Sequence, residues 1–331
     1  MSNKPYISFS SMDEWQCRRK YYLHQIVGIE RKSLSIPFTV GKIVETGVSA
    51  LLKKDKGFID KAYIHYKEIQ KDAKRLILTE KEKEELEEIG TYLRGMLESF
   101  KNKYIGFIRK IKRSKDGIKL RLELDYGIIV GEIDNMFIWE DDKLWMEELK
   151  TAKELTLYRI EKVQHDLQHG LYYYTFHKIY SKLKIYKILY HIIRKPSIRQ
   201  KKAEQLHEYQ GRLMNWYKDL DSPGDDRRFW DDQLDKPKLR EVDVFNTVNH
   251  KAKEIFDAYG SSNPIDAFYQ NFDMCSDKYG KCQFFQICHR GEGISVREII
   301  RLYYRKSNEV MAYWSSYGVQ QPKSIIQIDK L

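Results

Sequence analysis

The sequence predicts a mixed α/β fold in which helices surround a central sheet. Segments with the 3.6-residue hydrophobic period of helices occur toward both ends of the chain, and segments with the alternating pattern of strands lie between them. The chain has 331 residues, of which 42% are hydrophobic and 13% are aromatic. That content is enough to bury a large core, and it argues against extensive disorder.

Three helices are predicted before the sheet. In the first, Trp15 and Ile26 share one face, with basic residues at 18–20 nearby. The third begins at a capping box formed by Thr79 and Glu82. These helices are expected over residues 12–26, 40–54 and 79–111.

Strands rich in branched and aromatic residues follow. An acidic turn at 140–142 should join two of them as a hairpin, which places Asp134 and Glu148 on neighbouring strands. A strand at 185–194 is expected to stop before Pro196, because proline cannot donate a hydrogen bond to a sheet. The strands are predicted over residues 119–130, 132–139, 144–149 and 185–194, with a helix over 158–183 before the last one.

The C-terminal third is predicted to be helical apart from one loop. Proline, glycine and acidic residues over 219–238 predict this loop, and helices should follow at 242–259 and 296–317. The residues from Gln320 onward read as a loose tail. The chain is therefore expected to have an N-terminal helical region (1–118), a core (119–200) and a C-terminal helical region (201–331).

Charge and cysteine content narrow the functional classes. Lysine and arginine together number 59 against 48 aspartates and glutamates, a net charge of +11. This excess favours binding to polyanions such as nucleic acid, although a basic surface without a ligand would show it too. No segment has the pattern of a membrane span or a secretion signal, and four cysteines are too few for a secreted disulfide scaffold. We therefore expect a cytoplasmic protein with reduced thiols and no membrane partner.

A set of carboxylates and a lysine lies on the predicted hairpin. Alternation along the strand puts Glu148 and Lys150 on one side and Leu149 in the core, and Asp134 can face the same side from the neighbouring strand. Hydrolysis of a phosphodiester bond uses such a set, because Mg²⁺ or Mn²⁺ takes carboxylate ligands and a lysine stabilises the charge that develops on the phosphate. The alternative interpretation is an exposed salt bridge at a strand edge.

Two further segments add candidate site residues. Glu45 follows Gly41 on a predicted helix and offers the metal a third carboxylate, unless it is an ordinary surface glutamate. Gln168 and Tyr172 are four residues apart, so they share a helical face that can point at the same site. Tyr172 would fit the hydrophobic core equally well.

The four cysteines are Cys17 near the N-terminus and Cys275, Cys282 and Cys288 near the C-terminus. Four thiolates can hold either a zinc ion or an iron–sulfur cluster. Structural zinc sites usually contain C-x2-C pairs, which this chain lacks, so the wide spacing favours a cluster. Zinc and four unrelated buried thiols remain alternatives.

Together these residues resemble the PD-(D/E)XK nucleases, in particular the RecB-like branch with an iron–sulfur cluster that includes the CRISPR-associated exonucleases and their phage and bacterial relatives. The segments that carry the resemblance follow the family order: 8–11, 17–23, 41–45, 131–134, 148–151 and 168–172, and then the three late cysteines. One departure is that the family commonly has histidine where this chain has Glu45.

The resemblance implies a restriction-endonuclease-like core, a mixed central sheet flanked by helices, with helical N- and C-terminal parts joined by the cluster. The implied catalytic residues are Asp134, Glu148, Lys150, Gln168 and Tyr172, the ligands of Mg²⁺ or Mn²⁺ are Glu45, Asp134 and Glu148, and the ligands of a 4Fe-4S cluster are Cys17, Cys275, Cys282 and Cys288.

The function predicted in this way is that of a metal-dependent DNA exonuclease. It would hydrolyse phosphodiester bonds from DNA ends, with single-stranded DNA as the expected substrate, in recombination, repair or phage DNA processing. A recombination or helicase partner is expected, in a bacterium or a phage-infected host cell. Two alternatives stay open: a catalytically weak nuclease-like protein that binds DNA or a partner nuclease, and a zinc-stabilised interaction protein with no role in nucleic-acid chemistry.

Overall fold

The computed structural model of the protein describes residues 4–163, 165–218, 228–261, 264–277, 280–289 and 294–306. The chain forms two compact units. The terminal unit comprises Met1–Lys32, Leu120–Gly131 and Arg240–Leu331, and the central unit comprises Ser33–Lys119 and Glu132–Leu239. The predicted division into an N-terminal helical region, a core and a C-terminal helical region stays a prediction.

The elements follow one another along the chain as named here. The strands are β1 (Tyr6–Ile7), β2 (Ile29–Arg31), β3 (Arg113–Glu123), β4 (Ile128–Ile138), β5 (Leu144–Ala152), β6 (Ile185–Arg194), β7 (Phe229–Leu234), β8 (Ser276–Asp277), β9 (Gly280–Lys281) and β10 (Tyr304–Lys306). The helices are α1 (Phe9–Glu14), α2 (Arg18–Tyr21), α3 (Ile36–Leu52), α4 (Phe58–Ala73), α5 (Glu80–Lys110), α6 (Leu157–Val163), α7 (Leu167–Ile179), α8 (Leu206–Lys218), α9 (Glu241–Tyr259), α10 (Pro264–Ala267), α11 (Phe285–Cys288) and α12 (Val296–Tyr303).

A mixed sheet forms the middle of the central unit. Strand β5 is antiparallel to β4 on one side and parallel to β6 on the other, and β7 continues the sheet antiparallel to β6. Strand β3 pairs with β4. Parallel and antiparallel pairing within one sheet confirms the predicted mixed α/β class.

Helices of the central unit cover both faces of this sheet. Trp145 and Leu149 of β5 face a large core shared with α3, α4, α5 and α8. Tyr190 and Ile192 of β6 belong to a smaller core on the other face, together with Val163 of α6. Because side chains of a strand alternate, the even-numbered residues 148 and 150 of β5 face away from the larger core.

The predicted hairpin is confirmed, and β6 has the predicted bounds. The turn between the first two predicted strands was misplaced, however. The Leu124 N–H donates to the Gly127 carbonyl (2.8 Å), so the chain turns at 124–127 and Gly131 lies inside β4. Local turn geometry outweighed the break that a strand glycine suggests.

Three predicted helices need correction. The helix expected over 158–183 is two helices, because Asp166 accepts a hydrogen bond from the Gln168 N–H (2.7 Å) and caps α7. The helix expected over 12–26 is divided into α1, α2 and a π-helical turn (Tyr22–Ile26). The last predicted helix ends at Tyr303 and continues as β10, and residues 307–317 and the tail from Gln320 lie outside the described residues.

Two elements were missed, helix α4 and strand β7. Helix α4 buries Phe58, Ala62 and Tyr66 at positions i, i+4 and i+8. Helix α8 lies in the segment before the loop that was predicted to be helical, and it buries Tyr209, Leu213 and Tyr217 with the same spacing. Strand β7 lies inside the predicted loop, of which residues 219–227 are outside the described part of the chain. Its acidic residues suggested a loop, but Phe229 and Trp230 are buried and pair with β6.

The terminal unit contains short paired strands and a group of packed aromatic side chains. Strand β1 runs parallel to the first residues of β4, and β2 pairs antiparallel with β10. An aromatic cluster joins Trp15 to Tyr21 (ring centroids 5.1 Å apart) and to Phe268 (5.9 Å). None of the helices described in either unit is both long and apolar enough to cross a membrane.

Candidate active site

The β4–β5 hairpin brings two carboxylates together. The register of the two strands ends at the pair Asn135 and Glu147, and Asp134 and Glu148 are the residues directly beyond this pair. Because side chains alternate along each strand, both project to the face opposite that of the last pair. The Leu149 N–H also donates to Asp134 Oδ2 (3.2 Å), which fixes the aspartate side chain against β5.

Glu148 is the most enclosed charge in this group. Its side chain is 0% exposed and forms an ion pair with the Lys150 ammonium, whose side chain is 39% exposed. The second oxygen, Oε2, forms no hydrogen bond with the described residues. Burial disfavours the carboxylate, but the charge of Lys150, together with the interaction with His169, outweighs burial and lowers the pKa of Glu148 to about 2. Burial likewise opposes the charge of Lys150, yet Glu148 and Asp134 raise the pKa of this lysine.

Glu45 and Asp134 belong to the same electrostatic group. Burial, followed by repulsion from Glu148, raises the pKa of Glu45 to about 7. Burial and repulsion from Glu148 and Glu45 also raise the pKa of Asp134 well above its usual range. The three acids thus repel one another electrostatically, and repulsion of this kind is what a divalent cation relieves.

Helix α7 brings the remaining predicted residues to the group. Lys150 Nζ donates to Gln168 Oε1 (3.4 Å), and Gln168 Nε2 donates to the Tyr172 hydroxyl (3.3 Å). Asp166, the residue before Leu167, caps α7 and so helps to position these hydrogen-bonded side chains. Tyr172 is buried, as a core residue would be, and its hydroxyl also contacts Gln168.

The comparisons with known proteins bear on this arrangement. Residues 7–289 match the family model of the PD-(D/E)XK nuclease superfamily. The chain belongs to the PD-(D/E)XK nuclease superfamily. Among curated proteins, none matches the chain. Among solved structures, the protein SSO0001 is similar over 72% of this chain and 83% of its own, with 11% sequence identity and a TM-score of 0.27.

Membership in the PD-(D/E)XK superfamily implies a nuclease, that is, a hydrolase of phosphodiester bonds. Nucleases of this superfamily generally use Mg²⁺ or Mn²⁺. The mixed sheet flanked by helices is consistent with the restriction-endonuclease-like fold. The family match shows the superfamily, and the RecB-like branch stays a prediction.

The donor set of this PD-(D/E)XK chain fits a hard cation. Among the described residues, no three His, Cys, Asp or Glu side chains are placed closely enough to hold a metal ion by themselves. Mg²⁺, however, is usually bound through one or two carboxylates, with water and substrate phosphates completing its shell. Asp134 and the unbonded Glu148 Oε2 supply oxygen ligands of that kind.

His169 is a site residue that the sequence interpretation missed. Its side chain is buried, its Nε2 lies 3.5 Å from Glu148 Oε1, and its ring packs edge-on against Tyr190 (centroids 4.4 Å apart). The only signal in the sequence was its position next to Gln168. Since a lone histidine in a helix is most often a core residue, that signal was too weak to single it out.

The four cysteines lie in the terminal unit and form no disulfide. Burial raises the pKa of Cys288 to about 12, with further contributions from Cys17 and Cys282, whereas Arg19 lowers it. Burial also raises the pKa of Cys282, and Lys20 opposes this. Gln270 Nε2 donates to Cys275 Sγ (3.1 Å). The thiols are therefore near enough to influence one another, although no three of them are placed to hold a single ion.

We expect Glu45→Gln to stabilise the metal-free protein above neutral pH. The pKa of Glu45 is raised from 4.5 to about 7, so the folded state retains its proton where the unfolded state has lost it. The free energy of unfolding is therefore unaffected below about pH 4.5, decreases between pH 4.5 and pH 7, and has lost the full contribution above pH 7. Melting temperatures in EDTA should therefore be equal for both proteins at acid pH and higher for Glu45→Gln at pH 8.

The exposed Glu84 of α5 offers a matched control, since Glu84→Gln removes a charge far less enclosed than that of Glu45. A difference between wild type and Glu45→Gln that is constant across the pH range would contradict the repulsion described above. Saturating Mg²⁺ should reduce the difference, because a bound cation neutralises the acidic group.

Proposed function

We propose that this PD-(D/E)XK protein is a metal-dependent deoxyribonuclease that hydrolyses phosphodiester bonds from the ends of single-stranded DNA. The observation that supports the proposal most is the group formed by Asp134, Glu148 and Lys150, in which a buried carboxylate and a lysine on one strand adjoin a second carboxylate. The net charge of +11 favours a polyanionic substrate.

In the proposed reaction, Asp134 and Glu148 hold Mg²⁺ or Mn²⁺, and Glu45 provides a further carboxylate nearby. The metal, when bound, polarises the scissile phosphate and lowers the pKa of the attacking water. Lys150 stabilises the negative charge that develops on the phosphate oxygens. Water adds across the P–O bond, so that one product retains the phosphate and the other a hydroxyl group.

Other residues in the site have positioning roles in this proposal. Gln168 accepts a hydrogen bond from Lys150 and thereby limits where the ammonium can move, while Tyr172 orients the Gln168 amide. His169 supports Glu148 from the helix side. A site whose charged groups are fixed in advance needs little reorganisation when the substrate binds.

We expect labelled single-stranded DNA to be degraded in Mn²⁺ by the wild type, and Asp134→Ala and Lys150→Ala to lose about 100-fold or more of that activity. Substrates with one blocked end distinguish cleavage from an end from internal cleavage. Asp141→Ala removes an exposed carboxylate on the β4–β5 turn and should leave the rate unchanged.

Wild-type rates in both Asp134→Ala and Lys150→Ala would contradict this assignment. Tight binding of DNA without cleavage under any divalent metal would favour the alternative of a nuclease-like DNA-binding or nuclease-partner protein. A recombination or helicase partner, action in recombination, repair or phage DNA processing, and a cytoplasmic site of action stay predictions from the resemblance.

We also propose that Cys17, Cys275, Cys282 and Cys288 hold a 4Fe-4S cluster, as in the RecB-like branch. The mutual repulsion that helps to raise the pKa values of Cys282 and Cys288 involves all four thiols and therefore indicates that they lie close together, which supports this. Arg19 and Lys20 offset part of the effect of burial, which disfavours the thiolate forms. A tetrahedral zinc site needs sulfur atoms about 3.8 Å apart. A cluster is bulkier and holds its thiolates farther apart, so the lack of an ion-sized group among the described residues disfavours zinc more than a cluster.

The protein purified without oxygen should be brown, with broad visible absorption and about four irons per chain. Cys282→Ser should lose the colour, the iron and part of the thermal stability, because the ligands lie far apart in sequence and their bridge restricts the unfolded chain. Ser276→Ala, next to Cys275, keeps all four thiols and should retain the iron. A colourless, zinc-containing and fully active preparation would refute the cluster.

A further inference from the structure

We propose that Phe38 and Lys42 form a subsite in which an unpaired nucleobase stacks beside the active site. Phe38 would provide the stacking surface, and Lys42 would contact the neighbouring phosphate. The inference rests on the proposed function, and it adds how a single strand is held and why a duplex is not held in the same way.

The location of Phe38 is the first support. Phe38, Lys42 and Glu45 are spaced four and three residues apart on α3, so they line one face of the helix. With a rise of 1.5 Å per residue, Phe38 lies about 10 Å along the helix axis from Glu45. Lys42 is also close enough to Glu45 to lower its pKa, although burial has the larger, opposite effect.

The first turns of α3 are held against the end of the strand that bears Glu148 and Lys150. Gly41 lies beside β5, since a Cβ at this position would be in ordinary van der Waals contact with Thr151 Oγ1 (3.7 Å). Lys195 Nζ, beyond the end of β6, donates to the Pro37 carbonyl (3.2 Å). Phe38 is therefore presented by a fixed backbone next to the proposed metal ligands, as a binding subsite requires.

The exposure of Phe38 is the second support. Its side chain is 58% exposed, more than any other aromatic side chain described in the central unit. Lone exposed apolar residues are common, so exposure by itself indicates nothing. Here the ring also has the Lys42 ammonium 4.5 Å from its centroid, which combines a stacking surface with a positive charge. Proteins that bind single strands combine these two features, because every base has a π face and every linkage a phosphate.

The chain contains a matched control for this pair. Tyr186 is also an exposed aromatic residue with a lysine over its ring, since Lys143 Nζ lies 3.9 Å from the centroid. Tyr186 precedes Tyr190, the partner of Glu148 across β5 and β6, by four residues. It is therefore about 13 Å along the strand from the level of Glu148. An effect of aromatic–lysine pairs in general would appear at both places.

The test measures binding of the full chain to fluorescent single-stranded oligonucleotides by anisotropy, in EDTA so that no cleavage occurs. A series of oligonucleotides has each base in turn replaced by an abasic site. Phe38→Ala should weaken binding of the intact strand about tenfold or more, whereas Phe38→Trp should retain it and Tyr186→Ala should bind as the wild type does. At one position in the series, the abasic site should lower the affinity of the wild type for the oligonucleotide. The same abasic site should not lower the affinity of Phe38→Ala any further.

Wild-type affinity in Phe38→Ala would overturn the subsite, and so would an equal loss of affinity for duplex and single-stranded DNA, because a paired base cannot stack on the ring. Cleavage in Mn²⁺, measured on the same preparations, separates this failure from that of the proposed function. A wild type that binds and cleaves single strands alongside an unaffected Phe38→Ala refutes the subsite alone. A wild type that neither binds nor cleaves DNA refutes both.

Discussion

The carboxylate of Glu148 lies on β5 without solvent exposure, and a buried charge of this kind must be balanced by its surroundings. Two-residue alternation along the strand supplies Lys150 on the same side, while Leu149 between them anchors the strand in the larger core. Helix α7 contributes two further polar side chains: Gln168 contacts Lys150, and His169 contacts Glu148. Strand β5 and helix α7 thus both contribute groups that help to stabilise one buried carboxylate.

The neighbouring acids show the opposite behaviour. Asp134 and Glu45 have raised pKa values, with burial as the largest cause and repulsion from Glu148 as the next. Without a cation this crowding destabilises the fold, and a divalent metal bound between the acids would recover the loss. Functional sites are often less stable than the rest of a fold for this reason. Nucleases of this superfamily generally use Mg²⁺ or Mn²⁺, which would explain why acids that repel one another lie close together.

The parts of the fold and site that sequence predicted are those set by short-range patterns. The hairpin, the shared face of Glu148 and Lys150, and the capping box at Thr79 depend only on alternation, a turn or a cap. Strand β7 and the contact of His169 were missed because they depend on distant partners, whereas α4 was missed although its buried residues follow the local helical period. Strand β7 pairs with β6 although Asp231 and its neighbours look like a loop, and Asp231 itself accepts a hydrogen bond from Tyr104 of α5 (2.8 Å). The contact of His169 with Glu148 likewise exists only once α7 packs on the sheet.

If Asp134 and Glu148 form one metal site on the β4–β5 hairpin, crystals soaked in Mn²⁺ should show the ion there by anomalous diffraction, which locates it without any assumption about activity. The ion should be bonded to an oxygen of each carboxylate at about 2.1 Å, with the Lys150 ammonium outside the first coordination shell. Crystals that bind Mn²⁺ elsewhere, while Lys150 alone neutralises Glu148, would show that the two carboxylates do not form a shared metal site.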